Sequence, residues 1–191
     1  MNLDKVINEL VDFDRGIYLD IGAMHSFKQS VTYALYKRGW HGLLVEPREE
    51  CWPDLLHNRP GDFLSPLAVS DLESTKSLFY LDHEHSTLSP SEVQKRIPDL
   101  PTAPIATVPL KVLLKDYPIV NRYCNLMNVD VNGHEAGVMK SFNLREFRPQ
   151  VVVINSSNYG EYSHIFVSAG YTCHDTVDNK RIYTRPIGDV K

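Results

Sequence analysis

The chain has 191 residues, which is enough for one domain with a substantial core and short for two domains. Its net charge of −4, with 42% hydrophobic and 23% charged residues, is typical of a globular protein and argues against a broad basic surface for nucleic acid. No apolar run approaches the ~20 residues of a membrane span, and the polar start is unlike a secretory signal. Three cysteines without a CxxC pair are expected to be free thiols. We therefore expect a cytoplasmic protein with one domain over residues 1–191.

The hydrophobic pattern predicts strands that alternate with helices. An N-terminal helix is expected within residues 1–15, because Val6, Ile7, Leu10 and Val11 recur at helical spacing. Predicted strands cover 17–21, 43–45, 63–70, 75–81, 106–110, 126–131 and 150–154, and a terminal hairpin covers 171–177 and 181–184. Predicted helices cover 30–38, 51–56, 110–116, 134–142 and 162–169. This alternation predicts a mostly parallel, doubly wound α/β sheet that is closed by an antiparallel hairpin.

A long segment, residues 82–104, is rich in proline, serine and histidine and poor in apolar residues. Loops of this length in compact domains are usually functional or mobile. We predict that the segment is a lid or substrate loop with one helical turn after Ser89. His85, Ser86 and Thr87 are its candidates for contact with a substrate; the alternative is that they are exposed polar loop residues.

The ends of the first two predicted strands carry polar or small residues. The first strand leads through Asp20 into Gly22 and Ala23, and the second ends at Glu46 and Pro47. In open α/β sheets ligands bind beyond the carboxyl ends of the strands, and a carboxylate at the second strand accepts hydrogen bonds from both ribose hydroxyls. The turn is not GxGxxG, which disfavours a dinucleotide. A cofactor with a ribose and no pyrophosphate, such as S-adenosylmethionine, fits better.

Five motifs follow one another in an order that suggests a family. They are YLDIGA (18–23), RGWHGLLVEP (38–47), LAVSD (67–71), VDVNGHE (129–135) and RPQVVVI (148–154). Together they resemble the FkbM family of S-adenosylmethionine-dependent methyltransferases, from about Ile17 to Tyr171. The resemblance implies the class I methyltransferase (Rossmann-like) fold with a seven-stranded sheet, and O-methylation of a hydroxyl on a carbohydrate or another small-molecule natural product. The acidic balance of the chain disfavours a nucleic-acid methyltransferase.

The resemblance also implies roles for individual residues. The cofactor residues would be Asp20, Gly22 and Ala23 at its methionine end, Glu46 and Pro47 at its ribose, and Ser70 and Asp71 beside its adenine. Asp130 would lie near the methyl group that is transferred. The chain departs from the family at Asn132 and Asn155, where glutamate is common. If either glutamate is the essential base, this chain is a cofactor-binding pseudoenzyme.

Methyl transfer to an alcohol requires removal of the hydroxyl proton, by a general base or with the help of a metal ion. Asp130, Asn132 and Asn155 offer oxygen ligands for Mg²⁺ or Mn²⁺; the alternative is that Asn132 forms a turn and Asn155 a cap. His134 is a second candidate for the base or a substrate contact, or it only begins a helix. His25 either faces the acceptor or is an exposed loop residue.

Overall fold

The computed structural model describes residues 2–82, 85–89, 99–156 and 158–186. In chain order its strands are β1 (Ile17–Ile21), β2 (His41–Val45), β3 (Phe63–Ser65), β4 (Ala68–Val69), β5 (Ser74–Tyr80), β6 (Ser86–Thr87), β7 (Thr102–Val108), β8 (Cys124–Val129), β9 (Val151–Asn155), β10 (Thr172–Val177) and β11 (Lys180–Thr184). The main sheet has seven of them in the order β10-β11-β9-β8-β1-β2-β3, and β11 alone runs against the others. The predicted mostly parallel seven-stranded sheet with a C-terminal hairpin is confirmed.

Helices cover both faces of this sheet. They are α1 (Leu3–Leu10), α2 (Tyr33–Lys37), α3 (Trp52–Asn58), α4 (Leu110–Leu113), α5 (Pro118–Tyr123), α6 (Glu135–Lys140), α7 (Leu144–Phe147) and α8 (Ser163–Ser168), with 3₁₀ turns at Glu49–Cys51 and Tyr159–Glu161. The predicted N-terminal helix and the five other predicted helices are present with shifted bounds; most are shorter than predicted, and α3 ends two residues later. Helices α5, with six residues, and α7, with four, were not predicted. Within the described residues no helix is long and apolar enough to cross a membrane.

Two hydrophobic clusters lie on opposite faces of the main sheet. Side chains alternate along a strand, so Leu19 and Ile21 of β1 join one cluster while Tyr18 joins the other. The first cluster includes Val138 of α6 and the second includes Leu35 of α2. Because helices cover both faces of the sheet, a site can open at the two edges where the strands end. All three cysteines are free, as expected.

A second sheet, which the sequence did not predict, lies in the order β4-β7-β5-β6. Residues 63–70 were expected to form one strand interrupted by Pro66; β3 does end before Pro66, but β4 leaves the main sheet and pairs in parallel with β7. Proline has no N–H for a sheet hydrogen bond, which explains the break. The predicted loop 82–104 is correspondingly shorter, since β6 and the start of β7 lie inside it. Its predicted helical turn after Ser89 lies outside the described residues.

Gly42 is the point of closest approach between β1 and β2. A Cβ built on Gly42 lies 2.1 Å from the carbonyl oxygen of Tyr18 and 2.3 Å from its ring. We expect Gly42→Ala to lower the free energy of unfolding by about 1–3 kcal/mol, because the backbone of β1 must shift to accept the methyl group. Urea denaturation measures this change.

Gly160→Ala is the matched control for Gly42→Ala. The added Cβ at Gly160 meets no atom within 4 Å, so we expect a change within about 0.5 kcal/mol. Equal stability of the two variants would contradict the close contact between Gly42 and Tyr18.

Candidate active site

The carboxyl ends of β1, β2, β8 and β9 open onto one cavity of about 410 Å³, a size typical of small-molecule sites. Twelve of the predicted site residues line it: Asp20, Gly22, Ala23, Glu46, Pro47, His85, Ser86, Thr87, Asp130, Asn132, His134 and Asn155. Ser70, Asp71 and His25 do not line it. The cavity also receives Ala68, Val69 and Leu78 from the second sheet. The unpredicted sheet thus supplies an apolar wall of the site.

Gly22 makes the turn after β1 possible. Its φ is +85°, and an added Cβ would lie 2.0 Å from the backbone carbonyl oxygen of Asp130. The N–H of Gly22 donates to the carbonyl of Val45 at the end of β2 (2.9 Å). Only glycine fits this close contact of the β1 turn with the end of β8.

Asp20 is buried and fully engaged by the protein. Its Oδ2 accepts from the Thr32 hydroxyl (2.6 Å) and its Oδ1 from the Asn128 amide (2.8 Å). Thr32 accepts in turn from the buried guanidinium of Arg59 (3.1 Å). The carboxylate therefore holds the turn after β1 in place by linking it to the residue before α2 and to β8.

Asn128 is a site residue that the sequence analysis missed. It is buried, it lines the cavity, and its Oδ1 has no hydrogen-bond partner among the described residues. A buried acceptor without a partner costs free energy, so this atom is a natural acceptor for an N–H donor of a bound ligand. Its position inside a hydrophobic strand offered no sequence signal beyond its polarity.

Glu46 presents a buried carboxyl group at the end of β2. Its two oxygens accept from the backbone N–H groups of Met24 (2.8 Å) and Arg48 (2.9 Å). Burial raises the pKa of the Glu46 carboxyl to about 7, although these two donors oppose the shift. The carboxyl is thus held rigidly at the cavity wall and titrates near neutral pH.

Across the cavity, Asp130 after β8 forms a cluster with Asn155 and Lys180. The Asn155 amide donates to Asp130 Oδ1 (2.9 Å), and the Lys180 ammonium contacts Asp130 Oδ2. The Lys180 side chain is only 12% exposed. Lys180 was not predicted, although the topology could have indicated it. Because β11 runs antiparallel, its first residue lies at the same edge as the ends of the parallel strands.

The contacts of the predicted metal ligands argue against a metal site. Each oxygen of Asp130 already has one partner, the Asn155 amide at Oδ1 and the Lys180 ammonium at Oδ2, and the positive charge of the ammonium opposes a second cation there. The Asn132 amide donates to the carbonyl of Ser86 (3.3 Å). Among the described residues no group of three or more His, Cys, Asp or Glu side chains could hold a metal ion. The residues present do not fit Mg²⁺ or Mn²⁺.

Both ring nitrogens of His134 lie within hydrogen-bond distance of serine hydroxyls. Nε2 lies 3.0 Å from the hydroxyl of Ser70 and Nδ1 lies 2.7 Å from that of Ser89. Burial, and then the charge of Lys76, lower the pKa of His134, which favours the neutral ring. Since both nitrogens contact protein hydroxyls, this geometry favours a role in holding Ser89 and its neighbours against the main sheet over a role as the base.

The remaining predicted substrate residues lie in different surroundings. His85 at the cavity contacts the Asp82 carboxylate through Nδ1 (2.9 Å). Thr87 is buried, and its hydroxyl accepts from the N–H of Ser89 (2.9 Å). His25 lies outside the cavity, 4.0 Å from Asp54. Lys76 contacts both Ser70 and Asp71 (2.6 and 3.2 Å), so these two predicted adenine residues face the second sheet.

Solved structures with a similar fold include several methyltransferases. The FkbM methyltransferase of Methylobacillus flagellatus KT is 13% identical with a TM-score of 0.56, over 90% of this chain and 44% of that chain. The ribosomal protein L11 methylase of Lactobacillus delbrueckii subsp. bulgaricus (9%, TM-score 0.51) and the 1,6-didemethyltoxoflavin-N1-methyltransferase of Burkholderia thailandensis (8%, TM-score 0.50) each match 96% of this chain and 76% of theirs. The latter structure contains S-adenosylhomocysteine. The fold is therefore that of the class I methyltransferases.

The family follows from the sequence. The model of the methyltransferase FkbM domain matches residues 20–171, and the chain belongs to this methyltransferase family. The resemblance inferred from the five motifs is confirmed. The chain spans less than half of the M. flagellatus protein. A comparison with curated proteins finds no match.

Proposed function

We propose that the chain transfers a methyl group from S-adenosylmethionine to a hydroxyl group, and that this hydroxyl group belongs to a carbohydrate. The observation that carries the proposal is that two carboxylates, those of Glu46 and Asp130, line the same cavity. Glu46 is buried at the end of β2, and Asp130 lies opposite with Lys180 and Asn155. Membership of the FkbM family and the class I fold support it.

The residues of the cavity fit this cofactor. Glu46 would accept hydrogen bonds from the ribose hydroxyls, beside Pro47. The backbone at Gly22 and Ala23 lies open to a methionine moiety, and the buried Oδ1 of Asn128 is an acceptor for an ammonium group. Asp20 would act from behind, through Thr32 and Asn128. The predicted places of Ser70 and Asp71 beside the adenine stay predictions.

Asp130 is the proposed general base. When bound, S-adenosylmethionine supplies a methyl group on a positively charged sulfur. With the cofactor bound, the Asp130 carboxylate, whose oxygens each keep a second lone pair, would take the proton of the acceptor hydroxyl as its oxygen receives the methyl group. Lys180 and Asn155 hold that carboxylate in place, and the ammonium group of Lys180 can stabilise negative charge on the acceptor oxygen. No step requires a metal ion.

A carbohydrate is the proposed acceptor because the cavity carries polar groups that both donate and accept hydrogen bonds. Asn132, Asn155, Asn179, His85 and Ser86 all line it. Amide, imidazole and hydroxyl groups both donate and accept hydrogen bonds, as neighbouring sugar hydroxyls do. Another small-molecule hydroxyl and a pseudoenzyme that only binds the cofactor are the competing possibilities.

Two measurements test the proposed function. Calorimetry should show binding of S-adenosylhomocysteine, and absence of binding would contradict both the enzyme and the pseudoenzyme. A panel of mono- and oligosaccharides is then incubated with methyl-labelled S-adenosylmethionine, alongside phenolic and amine acceptors. Labelled methyl ethers on a sugar support the proposal, and transfer only to amines would contradict it. A chelator and added Mg²⁺ or Mn²⁺ should leave the rate unchanged.

Lys180 provides a test of the Asp130 cluster. We expect Lys180→Met to lower turnover by about tenfold to a hundredfold, because a charged partner of the base is lost. Affinity for S-adenosylhomocysteine should change little, which calorimetry measures. Lys111→Met, an exposed lysine of α4, is the control and should retain wild-type turnover. Full activity of Lys180→Met would remove Lys180 from the mechanism.

A further inference from the structure

A second cavity, of about 960 Å³, lies at the opposite edge of the main sheet, beneath the amino ends of β1 and β8. Four arginines line it: Arg15, Arg122, Arg148 and Arg185. We refer to it as the arginine cavity. None of its lining residues belongs to the cofactor cavity.

The topology brings these arginines together from four separate segments. Arg15 precedes β1, Arg122 lies near the end of α5 just before β8, and Arg148 lies between α7 and β9. Arg185 directly follows β11, whose antiparallel direction places its carboxyl end at the amino edge of the other strands. Each arginine is therefore next to a strand end at the same edge.

Arginines outnumber acidic residues in the lining of the arginine cavity. Glu146 is the acidic residue in its lining, and Oε1 of that carboxylate accepts a hydrogen bond from the Asn143 amide (2.7 Å). Arg15, Arg122 and Arg185 form no ion pair with any residue that the structure describes. The chain as a whole carries a net charge of −4. The cavity is thus a local concentration of positive charge on an acidic protein.

Two contacts help to position the arginine side chains of the cavity. Nε of Arg185 donates to the backbone carbonyl of Arg148 (3.2 Å). The guanidinium of Arg122 lies 5.3 Å from the centre of the Tyr123 ring, and Tyr123 is 55% exposed. A concave surface with several like charges raises the local concentration of ions of opposite charge.

We propose that the arginine cavity binds a small anion that carries a diphosphate group. The planar guanidinium forms paired hydrogen bonds with phosphate oxygens, and several guanidinium groups around one cavity match a ligand with more than one phosphate. The exposed ring of Tyr123 offers a stacking surface for a ring attached to the diphosphate. A small ligand is favoured over a nucleic acid, which requires an extended basic surface.

Calorimetry with inorganic pyrophosphate as the probe tests the proposal. Arg15→Gln/Arg122→Gln is the test variant, because both side chains are exposed and their loss should leave the fold intact. Lys111→Gln/Lys115→Gln removes the same charge from exposed positions outside the cavity and is the control. We expect pyrophosphate to bind wild type and control alike, and the test variant at least about tenfold more weakly.

Three results would overturn the proposal. They are no binding of pyrophosphate to the wild type, equal weakening in the test variant and the control, and tight binding of a single-stranded RNA that pyrophosphate does not displace. Protection of the wild type against thermal unfolding by pyrophosphate, absent in Arg185→Gln, provides a second test should the double variant fold poorly. Affinity for S-adenosylhomocysteine, measured on the same samples, reports on the cofactor cavity separately.

Discussion

Asp130→Asn is expected to lower turnover by about a hundredfold or more, because the amide cannot accept the proton of the acceptor hydroxyl. The change is nearly isosteric, and Asn155 still has a side-chain oxygen to contact at this position. We therefore expect the dissociation constant of S-adenosylhomocysteine to stay close to that of the wild type. Transfer of labelled methyl groups at saturating cofactor measures the effect.

Asp178→Asn is the control for Asp130→Asn. Asp178 also lines the cofactor cavity and lies two residues from Lys180, but it is exposed, and its φ of +52° suits asparagine. We expect turnover within about threefold of the wild type, since water and salt screen an exposed charge. Wild-type activity in Asp130→Asn would exclude this carboxylate as the base and leave His134 as the candidate.

Glu46→Gln is expected to weaken cofactor binding by about tenfold to a hundredfold at pH 8, as a charged acceptor of the ribose hydroxyls is lost. One of the two backbone donors, Met24 or Arg48, would also face an NH₂ group in place of an oxygen. Glu49→Gln, at an exposed position three residues later, is the control and should bind like the wild type. Calorimetry with S-adenosylhomocysteine measures all three proteins.

The raised pKa of Glu46 predicts a pH dependence of binding. Burial lifts the pKa to about 7 in the free protein, while ribose hydroxyls that donate to the carboxylate would lower it in the complex. Binding therefore releases a proton, and affinity should rise as the pH increases toward 7 and level off above it. Glu46→Gln should lack this step. The same profile in both proteins would place the titrating group elsewhere.

The raised pKa of Glu46 acts in the opposite direction on the stability of the free protein: its contribution to the free energy of unfolding falls as the pH rises. A folded-state pKa above the ordinary value means that Glu46 contributes most to stability when it is protonated. That contribution is complete below the ordinary glutamate range and is lost as the pH rises through about 7. We therefore expect Glu46→Gln to narrow the difference in unfolding free energy between pH 5 and pH 8.

The site residues that were predicted lie at the ends of strands that the sequence pattern makes recognisable. Asp20, Gly22 and Glu46 each lie at or just after the end of a buried strand, and such strands are short apolar runs with a polar or glycine residue at the end. All three line one cavity, and their roles toward the cofactor stay predictions. Lys180 and Asn128 were not predicted, because one is a charge in a hairpin and the other a polar residue inside a strand.

The amino-acid sequence by itself determined the order and type of the main-sheet elements, the edge at which the site opens, and the FkbM family. These properties depend on local hydrophobic patterns and on short motifs, and both can be recognised one segment at a time. The single domain over residues 1–191, the cytoplasmic location and the lack of a nucleic-acid partner stay predictions.

Only the tertiary structure decided which groups meet. It separated residues 63–70 into strands of two different sheets. It placed Lys180 beside Asp130, where a metal ion was predicted. It also placed both ring nitrogens of His134 at hydrogen-bond distance from serine hydroxyls. It also gathered four arginines at the far edge. The physical reason is that such contacts join residues far apart in the chain. Strand pairing and direction bring them together, and no local pattern records either.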